Sequence, residues 1–240
     1  MSSEDPSDEA GEADRADEGN GVDDPIGNGG EADEGADIPR RADQIACTER
    51  VLGTTPEAAI IANLGVASYA LAGIEDRPRN FYCWGAMGLA TSIGLGVALA
   101  IDDPVTVLEG DGSMCMSLGA LSTVAACDPP NLAIVVWENG VYGTTGGQPV
   151  ATVDIAGAAR ACGLAATTAE TGAEFETGYA EAVAHEGAAL VVCRVPPIDP
   201  DARPPLDSAH VARRFRDALT DGTEGAEGTV RGEWRDGGDQ

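Results

Sequence analysis

The sequence predicts an α/β protein with an open, mostly parallel sheet and helices on both faces of that sheet. Two observations support this fold class. Short apolar runs alternate along the chain with longer segments of small or amphipathic residues, which is the order of strands and helices in a layered α/β domain. Glycine-containing turns follow several of these runs, and in open α/β sheets ligands bind outside the carboxyl ends of the strands.

Five apolar runs are predicted to be strands. The first two are "AIIA" at 59–62, closed by the turn "NLG", and "FYCW" at 81–84, followed by "GAMG". The next two, "VTVLE" at 105–109 and "LAIVVW" at 132–137, lead into the turns "GDG" and "ENG". The run "ALVVCRV" at 189–195 closes the predicted sheet.

The segments between these strands are predicted to be helices because small and amphipathic residues dominate them. They comprise a short helix that ends at residue 71 and helices over 87–100, 113–127, 154–161, 172–184 and 210–219. The segment "ENGVYGTTGGQPV" at 138–150 is predicted to be a long loop, because its glycines and its proline disfavour both kinds of regular structure.

Both ends of the chain are strongly acidic. The 240 residues carry a formal net charge of −27, and the sequence contains arginine but no lysine. Segments 1–39 and 221–240 have almost nothing to bury, so we expect two disordered acidic tails around one domain at 40–220. Such a surface repels phosphate backbones and anionic membranes, which argues against nucleic acid or a membrane as partner.

The acidic, lysine-free composition is typical of proteins from a salt-loaded cytoplasm such as that of a haloarchaeon, where ions screen the self-repulsion. A GC-rich genome combined with two acidic tails is the alternative explanation. The six cysteines form no C-x-x-C pair, and we expect them to be buried thiols in a reducing cytosol. No leader and no membrane-spanning run is recognisable in the sequence, so we expect a cytoplasmic protein.

Two turns, "GDGS" and "ENGVYG", carry the candidate functional residues. Asp111 and Asn139 each follow a predicted strand, and the 28-residue spacing accommodates one helix and one strand that return the chain to the same sheet edge. Their oxygens suit magnesium or calcium. Gly110 and Gly112 permit a close backbone approach, and the N–H groups from Ser113 onward begin a predicted helix, where a diphosphate can bind. Either turn alone is an ordinary turn sequence, but together they predict a magnesium diphosphate site.

This pair of turns resembles the fingerprint of the thiamine diphosphate-binding domain of 2-oxo acid decarboxylases. The resemblance implies that thiamine diphosphate and Mg²⁺ are the cofactors, and that the metal ligands are Asp111, Asn139 and the backbone carbonyl of Val141. The family usually has Asn-Asn in the second turn, whereas this chain has Glu138 before Asn139. Because the second Asn is the ligand, the departure leaves the implied metal site intact.

The upstream segment "WGAMG" stands where the same family contacts the aminopyrimidine ring. The resemblance implies that the Gly85 carbonyl accepts a hydrogen bond from the pyrimidine amino group, and that Met87 is the apolar wedge that bends the cofactor. Taken alone, Met87 would fit a core methionine at a helix start. The other cofactor-binding residues that the resemblance implies are Gly110, Gly112, Ser113 and Tyr142.

A narrower resemblance covers about residues 56–196 and depends on "NLG", "DRPRNFYCWGAMG", the "GDGS" helix and "NGVYGTTGGQP". These segments are similar to the beta subunit of sulfopyruvate decarboxylase and to the corresponding half of phosphonopyruvate decarboxylases. The resemblance implies a lyase that decarboxylates a three-carbon 2-oxo acid bearing a second anionic group. It also implies that the glutamate that activates the cofactor lies in a pyrimidine-binding domain. Since this chain has no room for that domain, we expect no catalytic residue here and a pyrimidine-binding alpha-type subunit as partner, in a hetero-oligomer with self-association.

Two alternatives stay open. The chain could be the beta-type subunit of another thiamine diphosphate enzyme, such as a 2-oxoacid oxidoreductase or an acetolactate synthase-like enzyme. It could also be a catalytically silent cofactor-binding subunit. The iron–sulfur cysteine pattern of the ferredoxin-dependent oxidoreductases is absent from the sequence, and the intact Asp111, Asn139 and "WGAMG" argue against a silent subunit.

The loop that follows the second turn is the candidate substrate site. Thr144, Thr145 and Gln148, with the N–H groups of Gly146 and Gly147, offer several hydrogen-bond donors without a lysine. A cluster of donors of this kind suits a sulfonate or a phosphonate. A loop that only covers the cofactor is the alternative.

Overall fold

The computed structural model describes residues 41–220, and the acidic tails expected at 1–39 and 221–240 lie outside the described residues. The strands of its main sheet are β1 (Ala59–Asn63), β2 (Asn80–Cys83), β3 (Val105–Gly110), β4 (Leu132–Glu138), β7 (Ala165–Ala169) and β8 (Ala189–Arg194). All neighbours pair in parallel, in the order β2-β1-β3-β4-β8-β7. Two further short strands, β5 (Val141–Tyr142) and β6 (Gln148–Pro149), form a separate antiparallel hairpin. The predicted open, parallel α/β sheet is therefore confirmed.

Helices cover both faces of the sheet. The first face carries α1 (Gln44–Thr54), α2 (Val66–Ile74) and α7 (Gly172–Ala184). The second face carries α3 (Ala90–Ala98), α4 (Asp111–Met116), α5 (Ala120–Cys127) and α6 (Ile155–Ala161). The last helix, α8 (Ser208–Thr220), packs at the β2 edge and contributes Val211 to the first core and Phe215 to the second.

The strands read as continuous apolar runs because both of their faces are covered. In β1, Ile60 and Ala62 belong to the first core, whereas Ala59 and Ile61 belong to the second. All four side chains are fully buried. A run without polar alternation is what a parallel sheet between two helical layers requires, and it places the ends of β1, β3 and β4 side by side at the carboxyl edge of the sheet.

Three predicted helices differ from those in the structure. The helix predicted to end at residue 71 continues to Ile74. The helix predicted over 113–127 is divided into α4 and α5, because Ser117 adopts φ −141° and ψ 42°, outside the helical region. Ser and Gly are weak helix formers, and Ser117 and Gly119 mark the break. The helix predicted over 87–100 spans only Ala90–Ala98, because Gly88 adopts φ +75° and holds the preceding residues in a loop.

Four elements lack a counterpart in the sequence-based prediction. Strands β5 and β6 lie in the segment 138–150 predicted to be a loop, where Gly146 and Gly147 adopt positive φ and turn the chain back into a hairpin. The other two are α1 and β7. Helix α1 begins after Asp43, whose carboxylate accepts hydrogen bonds from the N–H groups of Ile45 (2.8 Å) and Ala46 (3.1 Å). This is a standard N-cap, and with the spacing of Cys47 and Val51 it was a usable signal. Strand β7 is an edge strand, with exposed side chains at Thr167 and Thr168, so it contains no apolar run to predict it.

The expectation of buried cysteines is correct for three of the six. Cys47, Cys83 and Cys193 are buried, Cys115 and Cys162 are half-buried, and Cys127 is exposed. For Cys127 the expectation was wrong because the residue ends α5, where the helix leaves the core. All six thiols are free. None of the described helices has the length and apolar character needed to cross a membrane.

Candidate functional site

Asp111 lies at the carboxyl end of β3, as the first residue of α4, and its side chain is buried. One carboxylate oxygen accepts a hydrogen bond from the N–H of Gly112 (2.8 Å), and the other accepts one from the N–H of Gly140 (2.7 Å). The first turn is thus bonded directly to the second. Burial raises the pKa of the Asp111 carboxyl, although the two N–H donors act in the opposite direction. A carboxylate in such a place favours a nearby cation.

Asn139 follows β4, the strand next to β3 in the sheet. Its side-chain oxygen accepts a hydrogen bond from the N–H of Val141 (2.9 Å), which fixes the amide plane within the turn. An amide oxygen and a carboxylate oxygen each have a second lone pair. Asp111 and Asn139 therefore keep capacity to bind a metal ion in addition to their present hydrogen bonds.

A cleft of about 90 Å³ lies at this edge of the sheet. The structure brings together most of the predicted site residues around it: Met87, Gly110, Asp111, Gly112, Ser113, Asn139, Val141, Tyr142, Thr144 and Thr145. Gly85 and Gln148 do not line it. The side-chain amide of Gln148 instead donates to the backbone carbonyl of Thr145 (2.8 Å). A neighbouring cavity of about 410 Å³ also borders Asp111 and Asn139.

The loop that contains the β5–β6 hairpin covers the cleft. A methyl group added to Gly112 would lie 2.9 Å from Cδ1 of the Tyr142 ring and still closer to Cε1. A methyl group added to Gly65, which follows β1, would likewise lie 3.0 Å from Cγ2 of Thr144. Only glycine leaves room for Tyr142 and Thr144 at these two positions. The loop can therefore lie directly on the backbone that follows β1 and β3.

Ser113 joins the "WGAMG" loop to the ends of the strands. Its hydroxyl oxygen accepts a hydrogen bond from the N–H of Gly88 (2.8 Å), and the hydroxyl donates to the side-chain oxygen of Asn63 (3.2 Å). Gly85 and Gly88 adopt φ +69° and +75°, which glycine tolerates best. The segment that carries Met87 is therefore held against the first residues of α4.

Glu109, which the sequence analysis did not single out, supports the same segment. It is 1% exposed, and one of its carboxylate oxygens accepts hydrogen bonds from the N–H (3.3 Å) and hydroxyl (3.2 Å) of Thr91. Leu89 provides no side-chain cap for α3, so Glu109 caps this helix from the neighbouring strand. Burial raises the pKa of the Glu109 carboxyl. The sequence signal for a special role of Glu109 is that it is a single acidic residue within an apolar strand.

Three more polar side chains at the cleft were not predicted. Gln44 of α1, Asn63 of β1 and Trp137 of β4 line it and are each almost fully buried. Asn63 opens the turn "NLG" after the first predicted strand, which was its signal in the sequence, whereas Trp137 ends a predicted strand and nothing in its local sequence distinguishes it from a core position. Gln44 belongs to α1, for which the N-cap residue Asp43 was the available signal in the sequence.

Comparison with known proteins identifies the family of this domain. Residues 64–193 match the family described as thiamine pyrophosphate enzyme, C-terminal TPP binding domain. The chain is 42% identical to phosphonopyruvate decarboxylase of Streptomyces viridochromogenes, over 75% of this chain and 47% of that protein. It is 37% identical to sulfopyruvate decarboxylase subunit beta of Methanothermobacter thermautotrophicus, over 76% of this chain and 98% of that subunit. The corresponding subunit of Methanocaldococcus jannaschii is 41% identical, over 58% of this chain and 75% of that subunit.

Solved structures with a similar fold are also known. A thiamine diphosphate-dependent 4-hydroxybenzoylformate decarboxylase from Rhodococcus jostii superimposes with a TM-score of 0.60 and 24% identity, over 72% of this chain and 36% of that one. This likeness shows the fold alone. The chain spans about half the length of the phosphonopyruvate decarboxylase and nearly all of the Methanothermobacter beta subunit.

Proposed function

Because the chain belongs to the thiamine pyrophosphate enzymes and carries their C-terminal TPP-binding domain, we propose that it is the beta-type subunit of a thiamine diphosphate-dependent decarboxylase. The proposed substrate is sulfopyruvate or a similar anionic three-carbon 2-oxo acid such as phosphonopyruvate. The observation that carries the proposal is the direct hydrogen bond between Asp111 and the N–H of Gly140, which joins the two turns of the fingerprint in a chain that aligns with 98% of a sulfopyruvate decarboxylase beta subunit.

The residues at the cleft fit a magnesium-bound diphosphate. Asp111 is a buried carboxylate, and it shares the cleft with the amide of Asn139 and with Val141. These are hard oxygen ligands of the kind that Mg²⁺ prefers. In the proposed complex the two side chains and the carbonyl of Val141 hold the metal, and backbone N–H groups near Gly112 face the diphosphate.

Thiamine diphosphate, when bound, supplies an electron sink that accepts the pair released as carbon dioxide departs. The contribution of this chain is to bind and orient the cofactor and to exclude water. Met87 lines the cleft from a loop fixed by Ser113, and it is the proposed wedge against the cofactor. Tyr142 and Thr144 lie over the two strand ends, where they shield the site from solvent.

A second subunit completes the proposed site. The phosphonopyruvate decarboxylase that matches is about twice as long as the aligned part of this chain, whereas the sulfopyruvate decarboxylase relatives are named as beta subunits. We propose that an alpha-type, pyrimidine-binding subunit supplies the remaining half of the pocket, including the activating glutamate. The proposed assembly is a cytoplasmic hetero-oligomer, in keeping with six free thiols.

Reconstitution tests this function. The full chain is purified alone and together with a pyrimidine-domain subunit from the same organism, and carbon dioxide release is measured with sulfopyruvate, phosphonopyruvate and pyruvate. We expect turnover of an anionic substrate by the pair, dependent on thiamine diphosphate and Mg²⁺, and no turnover by the chain alone, because half of the pocket is missing. Turnover by the isolated chain at an enzymatic rate would contradict the need for a partner. A pair that is inactive on all three acids would contradict the decarboxylase proposal.

A further inference from the structure

Gln44 has a buried side chain with no hydrogen-bond partner. It is 1% exposed, and neither its amide nitrogen nor its amide oxygen is bonded. Buried polar groups are almost always paired, because an unpaired one retains the full penalty of leaving water. Gln44 belongs to the buried face of α1 together with Cys47, Thr48 and Val51, but it alone of these four lines the cleft.

Trp137 presents a second unpaired donor at the same cleft. Its ring is 2% exposed and packs against Phe175, with the ring centroids 5.4 Å apart, and its indole N–H has no acceptor. An indole N–H is a donor only, and a primary amide provides two N–H donors. Two buried side chains that can donate therefore border one cavity with nothing to receive their hydrogen bonds.

The position of Trp137 in the sheet places its backbone beside the two turns of the proposed metal site. In the β3–β4 register its Cα pairs with that of Gly110, one residue before Asp111, and Asn139 follows two residues later. Met87, the proposed contact of the organic part of the cofactor, lies on the separate loop before α3. Gln44 and Trp137 line the same cleft as Asp111 and Asn139, so a ligand group next to the metal turns is the candidate partner of the unpaired donors, and in the proposed complex that group is the diphosphate.

We infer that Gln44 and Trp137 are phosphate-binding residues, whose amide N–H and indole N–H donate to oxygens of the cofactor's diphosphate. The inference rests on the proposed function, since it takes thiamine diphosphate as the ligand. It explains why two N–H donors are kept without partners inside a core: in the loaded protein they donate to charged acceptors, which form the stronger class of hydrogen bond. Neither residue belongs to the two turns that define the fingerprint.

The test compares binding with stability in the full-length chain. In the variant Gln44→Leu the side chain keeps its approximate volume and loses both unpaired atoms. We expect the melting temperature of the ligand-free protein to stay the same or rise, because an unpaired buried amide is removed. We expect the Kd for inorganic diphosphate with Mg²⁺, measured by titration calorimetry, to increase about tenfold or more. A merely structural glutamine would not combine these two changes.

Two further variants and a second ligand make the outcome decisive. Trp137→Phe removes the indole N–H together with part of a buried ring, so its melting temperature is measured beside its Kd, and it is expected to weaken binding in the same direction. Thr48→Val is the matched control, since Thr48 is equally buried on α1 and its hydroxyl bonds only the Gln44 carbonyl (2.7 Å); its Kd should stay within about twofold of wild type. Thiamine diphosphate with Mg²⁺ should show the same ratios.

The possible results separate this inference from the function on which it rests. If the wild-type chain binds neither ligand, alone or together with its pyrimidine-binding partner, the proposed function fails. If wild type binds and Gln44→Leu and Trp137→Phe bind equally well, the function stands and the inference is overturned. If Gln44→Leu weakens thiamine diphosphate but not inorganic diphosphate, the contact lies elsewhere on the cofactor, and the assignment to phosphate is overturned.

Discussion

At the scale of single residues, Asp111 is the side chain on which the proposed metal site depends. It is buried and accepts N–H donors from both turns. Asp111→Asn keeps the size of the side chain but removes the charge that balances Mg²⁺ against a diphosphate. We expect calorimetry to show a loss of cofactor affinity of about tenfold or more. Asp128→Asn is a suitable control, because Asp128 bonds the N–H of Ala188, away from the cleft. Unchanged, magnesium-independent binding by Asp111→Asn would contradict the metal site.

Thr145 tests whether the loop contacts substrate. Its hydroxyl is engaged only with the side-chain oxygen of Gln148 (3.3 Å), and it lines the cleft. If the hydroxyl binds the sulfonate or phosphonate, Thr145→Val should raise KM for that substrate about tenfold in the reconstituted pair. The Kd of the cofactor should stay unchanged, and pyruvate, which lacks the second anionic group, serves as internal control. Equal losses for pyruvate and for the anionic acid would show that the loop only closes the site.

The site residues that the sequence predicts have local signals, whereas those that it does not predict have none or only weak ones. Asp111 and Asn139 could be predicted because their positions follow from strand ends and from a fixed spacing along the chain. Gln44 and Trp137 line the cleft from segments that are distant in sequence from the two turns, and Glu109 bonds Thr91 of another element, so their placement exists only once the layers have packed. A buried polar residue in an apolar segment is a weak signal, since most such residues only satisfy the core.

At the scale of elements, the loop with the β5–β6 hairpin is predicted to depend on the absence of a side chain at Gly112. A methyl group there would overlap the Tyr142 ring, so Gly112→Ala should displace the ring and lower cofactor affinity about tenfold, with a smaller effect on the melting temperature. Gly119→Ala is the matched control, because no atom lies within 4 Å of the methyl group it would add. Equal cofactor affinity in the two variants would show that the loop does not contribute to the site.

Helix α8 is anchored to the β2 edge by a pH-sensitive contact. Asp76 accepts hydrogen bonds from the Arg214 guanidinium and from the hydroxyl of Tyr82 (3.0 Å). The Arg214 hydrogen bond holds the pKa of Asp76 below its usual range. Because the folded pKa is lower than the unfolded one, the contact stabilises the fold above about pH 4, and that stability is lost as the pH falls through the folded pKa.

Asp76→Asn should therefore lower the free energy of unfolding by about 1 kcal/mol at pH 7. The difference from wild type should shrink as the pH is lowered towards the pKa of the carboxyl, which urea unfolding at several pH values would measure. Asp217→Asn provides the control, since Asp217 forms only an exposed ion pair with the adjacent Arg216. A deficit in Asp76→Asn that is the same at every pH would mean that packing, and not charge, anchors α8.

The elements themselves were predicted to the extent that their signals are local. The apolar runs gave five strands, each within a residue or two of its observed bounds, because strands buried on both faces must be apolar throughout. Edge strand β7 has half-exposed side chains and offers no such run. The break between α4 and α5 has a weak local signal in Ser117 and Gly119, and the Gly88 loop also packs closely against Ser117. That contact comes from another part of the chain and cannot be read from the helix sequence.

At the scale of the whole molecule, the charge balance is the dominant property. The chain has 41 acidic residues against 14 basic ones, so most carboxylates have no basic partner available. Ion pairs in the described part of the chain use arginine, as in the pair between Arg194 and Glu138 (2.6 Å). Pairs of this exposed kind contribute little individually. The remaining acidic groups repel one another, and the repulsion depends on the ions in solution.

This excess of acidic residues predicts that the stability of the fold depends on the salt concentration. Lowering potassium chloride from about 2 M to about 0.1 M lengthens the Debye length from roughly 2 Å to about 10 Å, so neighbouring carboxylates repel over longer distances. We expect the melting temperature to fall by about 10 °C, which corresponds to a few kcal/mol for a domain of this size. Sucrose added at low salt provides the control, because it stabilises proteins by exclusion without screening charge. If sucrose restores the melting temperature as fully as salt does, screening is not the cause. A melting temperature that is independent of salt over this range would contradict the interpretation of the composition as an adaptation to a salt-loaded cytoplasm.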